Sequence, residues 1–235
     1  MLYGLDLFSG IGCLSEALKP WVQVSAYCEI DRDARQVLLA RMQSGDIDYA
    51  PIWDDVRTLT GEHIGRPDII LGGFPCQDLS FAGNGAGLAG KRSGLFYEIT
   101  RLAQETQPAF IFLENVGAIR TRGLDVAIEE LARIGYECRW VTLSAQAVGA
   151  PHKRERWFCL AYANGQRELQ QKGPIESFGR RADNGYPQAW LSATDEGISL
   201  LVNGTPASMV DQKLIGNAVV VEQARVAFKY LAGLE

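Results

Sequence analysis

Ala109-Phe110-Ile111-Phe112-Leu113 is an unbroken apolar run. A strand with one wet face alternates apolar and polar residues. A run without alternation is the pattern of a central strand in a parallel sheet, buried on both faces by helices. Asp68-Ile69-Ile70-Leu71 reads as a shorter strand of the same kind, and Leu2 to Phe8 and Trp21 to Cys28 as two more. Between them lie helical stripes with a period near 3.6: Ala34, Val37, Leu38 and Met42; Leu95, Ile99, Leu102 and Ala103; Leu124, Ile128 and Leu131. Strand alternating with helix predicts an α/β fold with a mostly parallel sheet.

The pattern changes late in the chain. Tyr136 to Ala145 and Arg154 to Ala161 are strand-like, with a turn between them. From Asn164 to about Pro206 periodicity fades and Gly, Pro, Asn and Gln increase, which reads as a small irregular subdomain. Val220, Ala224, Ala227, Phe228 and Leu231 then mark a closing helix. The expected organisation is a main domain over 1–162, the subdomain over 163–206, and a segment over 207–235 that returns to the main domain.

Composition excludes several classes. No apolar run approaches a membrane span and no secretory signal pattern opens the chain, so a cytoplasmic, membrane-free protein is expected. The cysteines Cys13, Cys28, Cys76, Cys138 and Cys159 are odd in number and contain no CxxC pair, which argues against a disulfide framework or a zinc site. With His63 and His152 the only imidazoles, no metal is expected. The net charge of −5 is unpromising for nucleic acid, yet between Pro151 and Arg181 seven basic residues face three acidic ones. Such a patch can hold a phosphate backbone; a solvated face is the alternative.

The chemistry-bearing residues gather at strand ends, where open α/β sheets bind ligands. After the first strand comes Ser9-Gly10-Ile11-Gly12, a turn of the dinucleotide type in which Ser15 replaces the third glycine. That glycine pattern serves a pyrophosphate, so its loss suits a nucleoside cofactor without phosphates. Glu29 ends the second strand, the usual place for an acid that holds a ribose diol. Asp54 or Asp55 is a candidate acceptor for an adenine amino group, with helix capping as the alternative. Gly72-Gly73-Phe74-Pro75-Cys76-Gln77-Asp78-Leu79-Ser80 presents a thiol on a stiff turn past the third core strand, and a glycine-rich stretch to Gly90 reads as a lid. Glu114 sits at the tip of the buried run, where a carboxyl is costly to ionise and is suited to act as an acid. Arg154 and Arg156, two apart on a strand, point to one side.

The segments Asp6-Leu7-Phe8-Ser9-Gly10-Ile11-Gly12, Gly73-Phe74-Pro75-Cys76-Gln77, Glu114-Asn115-Val116, Arg154-Glu155-Arg156 and Gly216-Asn217-Ala218-Val219, in that order, resemble the DNA cytosine-5 methyltransferases dependent on S-adenosylmethionine. The resemblance spans nearly the whole chain. It implies the Rossmann-like methyltransferase fold and methylation of carbon 5 of a cytosine flipped out of double-stranded DNA, through a covalent adduct on Cys76. It makes Cys76, Glu114, Arg154 and Arg156 catalytic. It assigns the cofactor to Phe8, Gly10, Ile11, Gly12, Glu29, Ile30, Asp55, Val56, Pro75, Leu95, Asn217 and Val219, and substrate contacts to Gln77, Ser80 and Asn115. A monomer working beside a restriction endonuclease is the implied setting. Two departures stand out. His152 occupies a place where the family usually has glutamine, and the region after Leu160 is short for a target-recognition domain. The competing readings are an RNA cytosine-5 methyltransferase, an inactive DNA-binding relative, and a small-molecule methyltransferase that would not need Cys76.

Overall fold

The computed structural model of the chain describes residues 1–75, 94–121, 123–165 and 219–234. In chain order the elements are β1 (Leu2–Leu7), α1 (Cys13–Leu18), β2 (Val22–Cys28), α2 (Arg32–Ser44), β3 (Ile52–Trp53), α3 (Gly61–Ile64), β4 (Ile69–Gly73), α4 (Gly94–Thr106), β5 (Phe110–Val116), α5 (Leu124–Arg133), β6 (Tyr136–Ser144), β7 (Glu155–Ala163) and α6 (Val221–Ala232). The strands form one sheet in the order β3-β2-β1-β4-β5-β7-β6. Strands β1 to β5 pair in parallel, and β7 runs antiparallel to both β5 and β6. The chain winds outward from β1 to β3, then restarts at β4 and winds the other way. The switch falls between β1 and β4, the place beyond the strand ends where open α/β sheets bind ligands.

Both faces of the sheet are covered, as the unbroken apolar runs require. Ile69, Leu71, Phe110 and Phe112 face one layer, built with Leu38, Met42, Ala224 and Phe228. Ile70, Ile111 and Leu113 face the other, built with Phe96, Ile99, Leu102 and Leu131. Alternate residues of each central strand thus serve opposite layers.

Local chemistry fixes the element ends. Asp31 caps α2 by accepting from the N–H groups of Asp33 and Ala34, and Gly45 ends that helix at φ +81°. Such a left-handed ending suits glycine. Two features differ from the sequence-based expectation. Strand β3 was not legible, because two residues after Pro51 are too few to show a period. Strand β5 continues through Val116, so Glu114 and Asn115 belong to the strand itself and inherit its register. The irregular subdomain expected over 163–206 lies outside the described residues apart from 163–165, and of the segment from 207 residues 219–234 are described.

Gly4 illustrates how tightly the central strands pack. A Cβ there would lie 2.6 Å from Val22 Cγ1 and 3.6 Å from Ile69 Cγ2. Gly4→Ala is expected to cost about 1–3 kcal/mol through overpacking. Adding Val22→Ala should make the double variant more stable than the sum of the single effects by at least about 0.5 kcal/mol. Denaturant unfolding of the four proteins measures this coupling, and strict additivity would show that the site relaxes around the methyl group.

Candidate active site

The ends of β1 and β2 are stitched together by Ser9. Its backbone N–H donates to the Cys28 carbonyl at 3.1 Å, and its hydroxyl donates to the Asp6 carbonyl at 2.7 Å. Just before it, Phe8 adopts φ +55°. Such a conformation is a genuine outlier for a bulky side chain and marks a place where the surroundings dictate the backbone. The turn continues through Gly10 and Gly12, both at positive φ.

This turn reaches across to Glu29. The Gly10 N–H donates to Glu29 Oε2 at 2.7 Å and the Asp31 N–H to Oε1 at 2.8 Å. Each oxygen uses one lone pair on the backbone and keeps capacity for a further donor. Burial pushes the Glu29 carboxyl above its ordinary range, while the two N–H donors oppose that shift. The Glu29 N–H also donates to the Trp53 carbonyl at 2.9 Å, which draws the tip of β3 alongside. Here the structure places Asp55 and Val56, the first half-buried and the second buried. Asp55 is held by Arg57, whose guanidinium lies 2.6 Å from Oδ2, and this pairing lowers its pKa. Ile30 is 64% exposed beside Glu29.

A second group of residues forms at the ends of β4, β5 and β7. Gly73 and Glu114 are in register across the parallel β4–β5 pair. A Cβ on Gly73 would lie 3.2 Å from Glu114 Oε2, so the glycine makes room for the carboxyl. Val116 is opposite Arg156 across the antiparallel β5–β7 pair, which puts Glu114 and Arg156 on a diagonal of one face. Arg156 Nε lies 2.8 Å from Glu114 Oε1. Burial drives the Glu114 pKa up to about 7, against the opposing charges of Arg156 and Arg154. Both arginines therefore act electrostatically on this carboxyl, although Arg154 lies just before β7 and not within the strand as the sequence led one to expect.

Asn115 faces the other way. Its Nδ2 donates to the Phe74 carbonyl at 3.1 Å and its Oδ1 accepts from the Val116 N–H at 2.8 Å. It ties β5 to the chain leading out of β4 through Phe74 and Pro75. Phe74 is in turn packed on Phe96 of α4, with ring centroids 5.1 Å apart. Leu95 is half-buried at the start of α4, and Val219 is buried in the core just before α6. Cys76, Gln77, Ser80 and Asn217 lie outside the described residues, as do Arg167, Lys172, Arg180 and Arg181.

Sequence reasoning passed over Asp6. It is fully buried in β1, and Ser15 donates its hydroxyl to Asp6 Oδ2. Burial raises its pKa to about 7, with the Ser15 bond opposing. The signal was available: an acid inside an apolar strand, the same signal that singled out Glu114. Among the described residues no group of three or more His, Cys, Asp or Glu side chains converges as a metal site. No helix among them is long and apolar enough to cross a membrane.

A doubly wound sheet with a glycine turn at its switch point and an acid at the next strand tip is the Rossmann-like architecture of S-adenosylmethionine-dependent methyltransferases. Spodoptera frugiperda DNMT2 shares it, with a TM-score of 0.61 over 76% of this chain and 57% of that one, at 21% identity. The C-5 cytosine-specific DNA methylase family matches residues 2–196, and the chain belongs to that family. It is 33% identical over 226 residues to the Type II methyltransferase M.CviJI of Paramecium bursaria Chlorella virus IL3A, covering 95% of this chain and 58% of that protein. It is 32% identical over 165 residues to the Type II methyltransferase M.NgoBI of Neisseria gonorrhoeae, covering 68% of this chain and 50% of that protein. The matches span 58% and 50% of the lengths of these two relatives.

The raised pKa of Glu114 has a measurable consequence. Between the ordinary 4.5 and about 7 the unfolded chain has released this proton while the folded chain retains it. The unfolded state then binds fewer protons, so this residue makes stability fall as pH rises through that window, with no further change above it. In Glu114→Gln this slope disappears, while the loss of the Arg156 partner adds a cost that does not vary with pH. The stability of the variant relative to wild type should therefore rise from about pH 5 to about pH 7 and then level off. Urea unfolding across that range tests this; a flat or falling difference would mean that Arg156 holds Glu114 ionised.

Proposed function

We propose that this chain transfers a methyl group from S-adenosylmethionine to carbon 5 of a flipped-out cytosine in double-stranded DNA, through a covalent adduct on Cys76. The observation that carries this reading is the buried Glu114 carboxyl, in register with the strand that leads through Gly73-Phe74-Pro75 into Cys76. A carboxyl with a pKa near 7 is a competent proton donor at neutral pH. Membership in the C-5 cytosine-specific DNA methylase family supports the same reading.

The first group of residues fits the cofactor. Glu29 already takes the Gly10 N–H, so that donor is withdrawn from any phosphate and an acid stands in its place. This repels a pyrophosphate and favours an uncharged diol and a cationic sulfonium. Glu29 would hold the ribose, Phe8 and Ile30 the faces of the adenine, and Asp55 and Val56 its edge. Gly10, Ile11, Gly12, Pro75, Leu95, Asn217 and Val219 complete the cradle. Asp55 meets the adenine amino group only as Arg57 yields part of its carboxylate. The bound cofactor supplies an electrophilic methyl group to carbon 5.

The second group performs the activation. Carbon 5 of cytosine is a weak nucleophile. Addition of the Cys76 thiolate to carbon 6 breaks the carbon 5–carbon 6 double bond and pushes its electron pair toward carbon 5 and the ring. Glu114 donates its proton toward N3 and so stabilises that charge. After methylation a base removes the proton from carbon 5, the double bond reforms and the thiolate leaves. Arg156 holds Glu114 in place, and Arg154 and Arg156 present positive charge to the base O2 and the thiolate. Gln77, Ser80 and Asn115 contact the substrate, Asn115 in part by fixing the strand exit at Phe74. A stacked base is out of reach of a pocket at a sheet edge, so the target must leave the duplex. The basic stretch from Arg154 onward supplies phosphate contacts.

The test is trapping on duplex DNA that carries 5-fluorocytosine. Fluorine cannot leave as a proton, so wild type and S-adenosylmethionine should give a covalent complex stable to denaturing electrophoresis. Cys76→Ala should give none, should transfer no methyl group to ordinary DNA, and should still bind cofactor. Turnover by Cys76→Ala would overturn the covalent route, and trapping on RNA in place of DNA would move the substrate class. Glu29→Ala should weaken S-adenosylmethionine binding by about 1–3 kcal/mol, the cost of losing hydrogen bonds to a charged acceptor. Unchanged affinity by calorimetry would place the ribose elsewhere.

A further inference from the structure

Arg41, in the last turn of α2, is 2% exposed. Burying a guanidinium is costly, and its partners show what it does there. Its Nη1 donates to the backbone carbonyl of Ile11 at 2.5 Å, thirty residues earlier in the chain. Its Nη2 pairs with Glu16 of α1 at 2.5 Å, and Asp46 lies 4.0 Å from Nε. The Ile11 carbonyl belongs to the glycine turn between β1 and α1. The N–H of the same peptide plane, that of Gly12, donates to the Ser9 carbonyl at 2.8 Å. A peptide group is planar, so fixing both ends fixes the plane. Helix α1 cannot supply this order itself. It is six residues long, and its N-cap, Gly12, contributes no side-chain cap. Glu29 grips the turn from one side through the Gly10 N–H, and Arg41 grips it from inside the α1–α2 packing.

We infer that Arg41 is a positioning residue for the cofactor site: through the Ile11 carbonyl it sets the shape of the glycine turn that receives S-adenosylmethionine. The inference rests on the cofactor reading given above. The bland alternative is an ion pair that merely joins α1 to α2. The two are separable, because Glu16→Gln removes the ion pair and leaves the Arg41–Ile11 bond.

Hydrogen exchange on the cofactor-free protein decides between them. In Arg41→Met, amides of residues 9–13 should exchange roughly tenfold faster, the factor expected when a charge-assisted hydrogen bond is lost. Amides of β4 and β5 should keep their protection, and Glu16→Gln should leave the turn within about twofold of wild type. In calorimetry Arg41→Met should bind S-adenosylmethionine roughly tenfold more weakly, with turnover at saturating cofactor changed less than about twofold. Should Arg41→Met not fold, Arg41→Lys, which can reach one acceptor at a time, gives the same pattern at smaller amplitude. Unchanged exchange at 9–13, equal acceleration across the sheet, or an equal effect of Glu16→Gln would overturn the inference. If Arg41→Met shows the exchange pattern while wild type fails to bind S-adenosylmethionine, the cofactor reading falls and Arg41 remains the residue that orders the turn.

Discussion

The Glu114–Arg156 pair is the contact on which the rest of this site depends. It forms only if three strands hold their register at once: β4 places Gly73 against the carboxyl, β5 carries it, and β7 brings Arg156 across the diagonal. A slip of one residue in β5 would turn Glu114 to the opposite face of the sheet. Taking a carboxyl and a guanidinium out of water costs more than a surface pair would, and apolar side chains of similar volume would pack there at less expense. The Coulomb attraction of two arginines does not offset burial, so the Glu114 pKa stays near 7. At neutral pH the carboxyl therefore stands near the midpoint of its titration, with protonated and ionised forms both populated.

Glu29, on the other side of the β1–β4 switch, follows a similar rule with different partners. Glu29 is also buried, but two backbone N–H groups hold it and leave each oxygen with an unused lone pair. Those donors fix both oxygens in place and oppose the rise in pKa that burial causes. The two acids stand on opposite sides of the β1–β4 switch, one at the β2 tip and one at the β5 tip. Asn115 ties β5 to the strand exit at Phe74, two residues before Cys76. At the β1 tip Phe8 adopts a positive φ, an unusual conformation for a bulky side chain.

Much of this was legible in the sequence because the governing signals are short-range. Unbroken apolar runs announced buried parallel strands, and the 3.6-residue stripes announced the helices that cover them. Glu114 was visible as an acid at the end of such a run, and Glu29 as an acid after the second strand. What was not legible depends on the third dimension. Nothing local tells that Arg41 reaches back to Ile11, or that Asn115 spends its amide on Phe74. Strand β3 has only two residues and therefore no period. Asp6 was overlooked although it carried the same signal as Glu114; its partner, Ser15, was noted only as a missing glycine.

If these strand tips methylate carbon 5 of cytosine in DNA, the methyl group is found there. The most direct measurement is incubation of unmethylated genomic DNA with the purified protein and S-adenosylmethionine, followed by bisulfite sequencing. The account predicts protected cytosines that share one sequence context and depend on added cofactor. Methyl groups recovered only in RNA or in small molecules, or cytosines that remain fully convertible despite cofactor consumption, would contradict it.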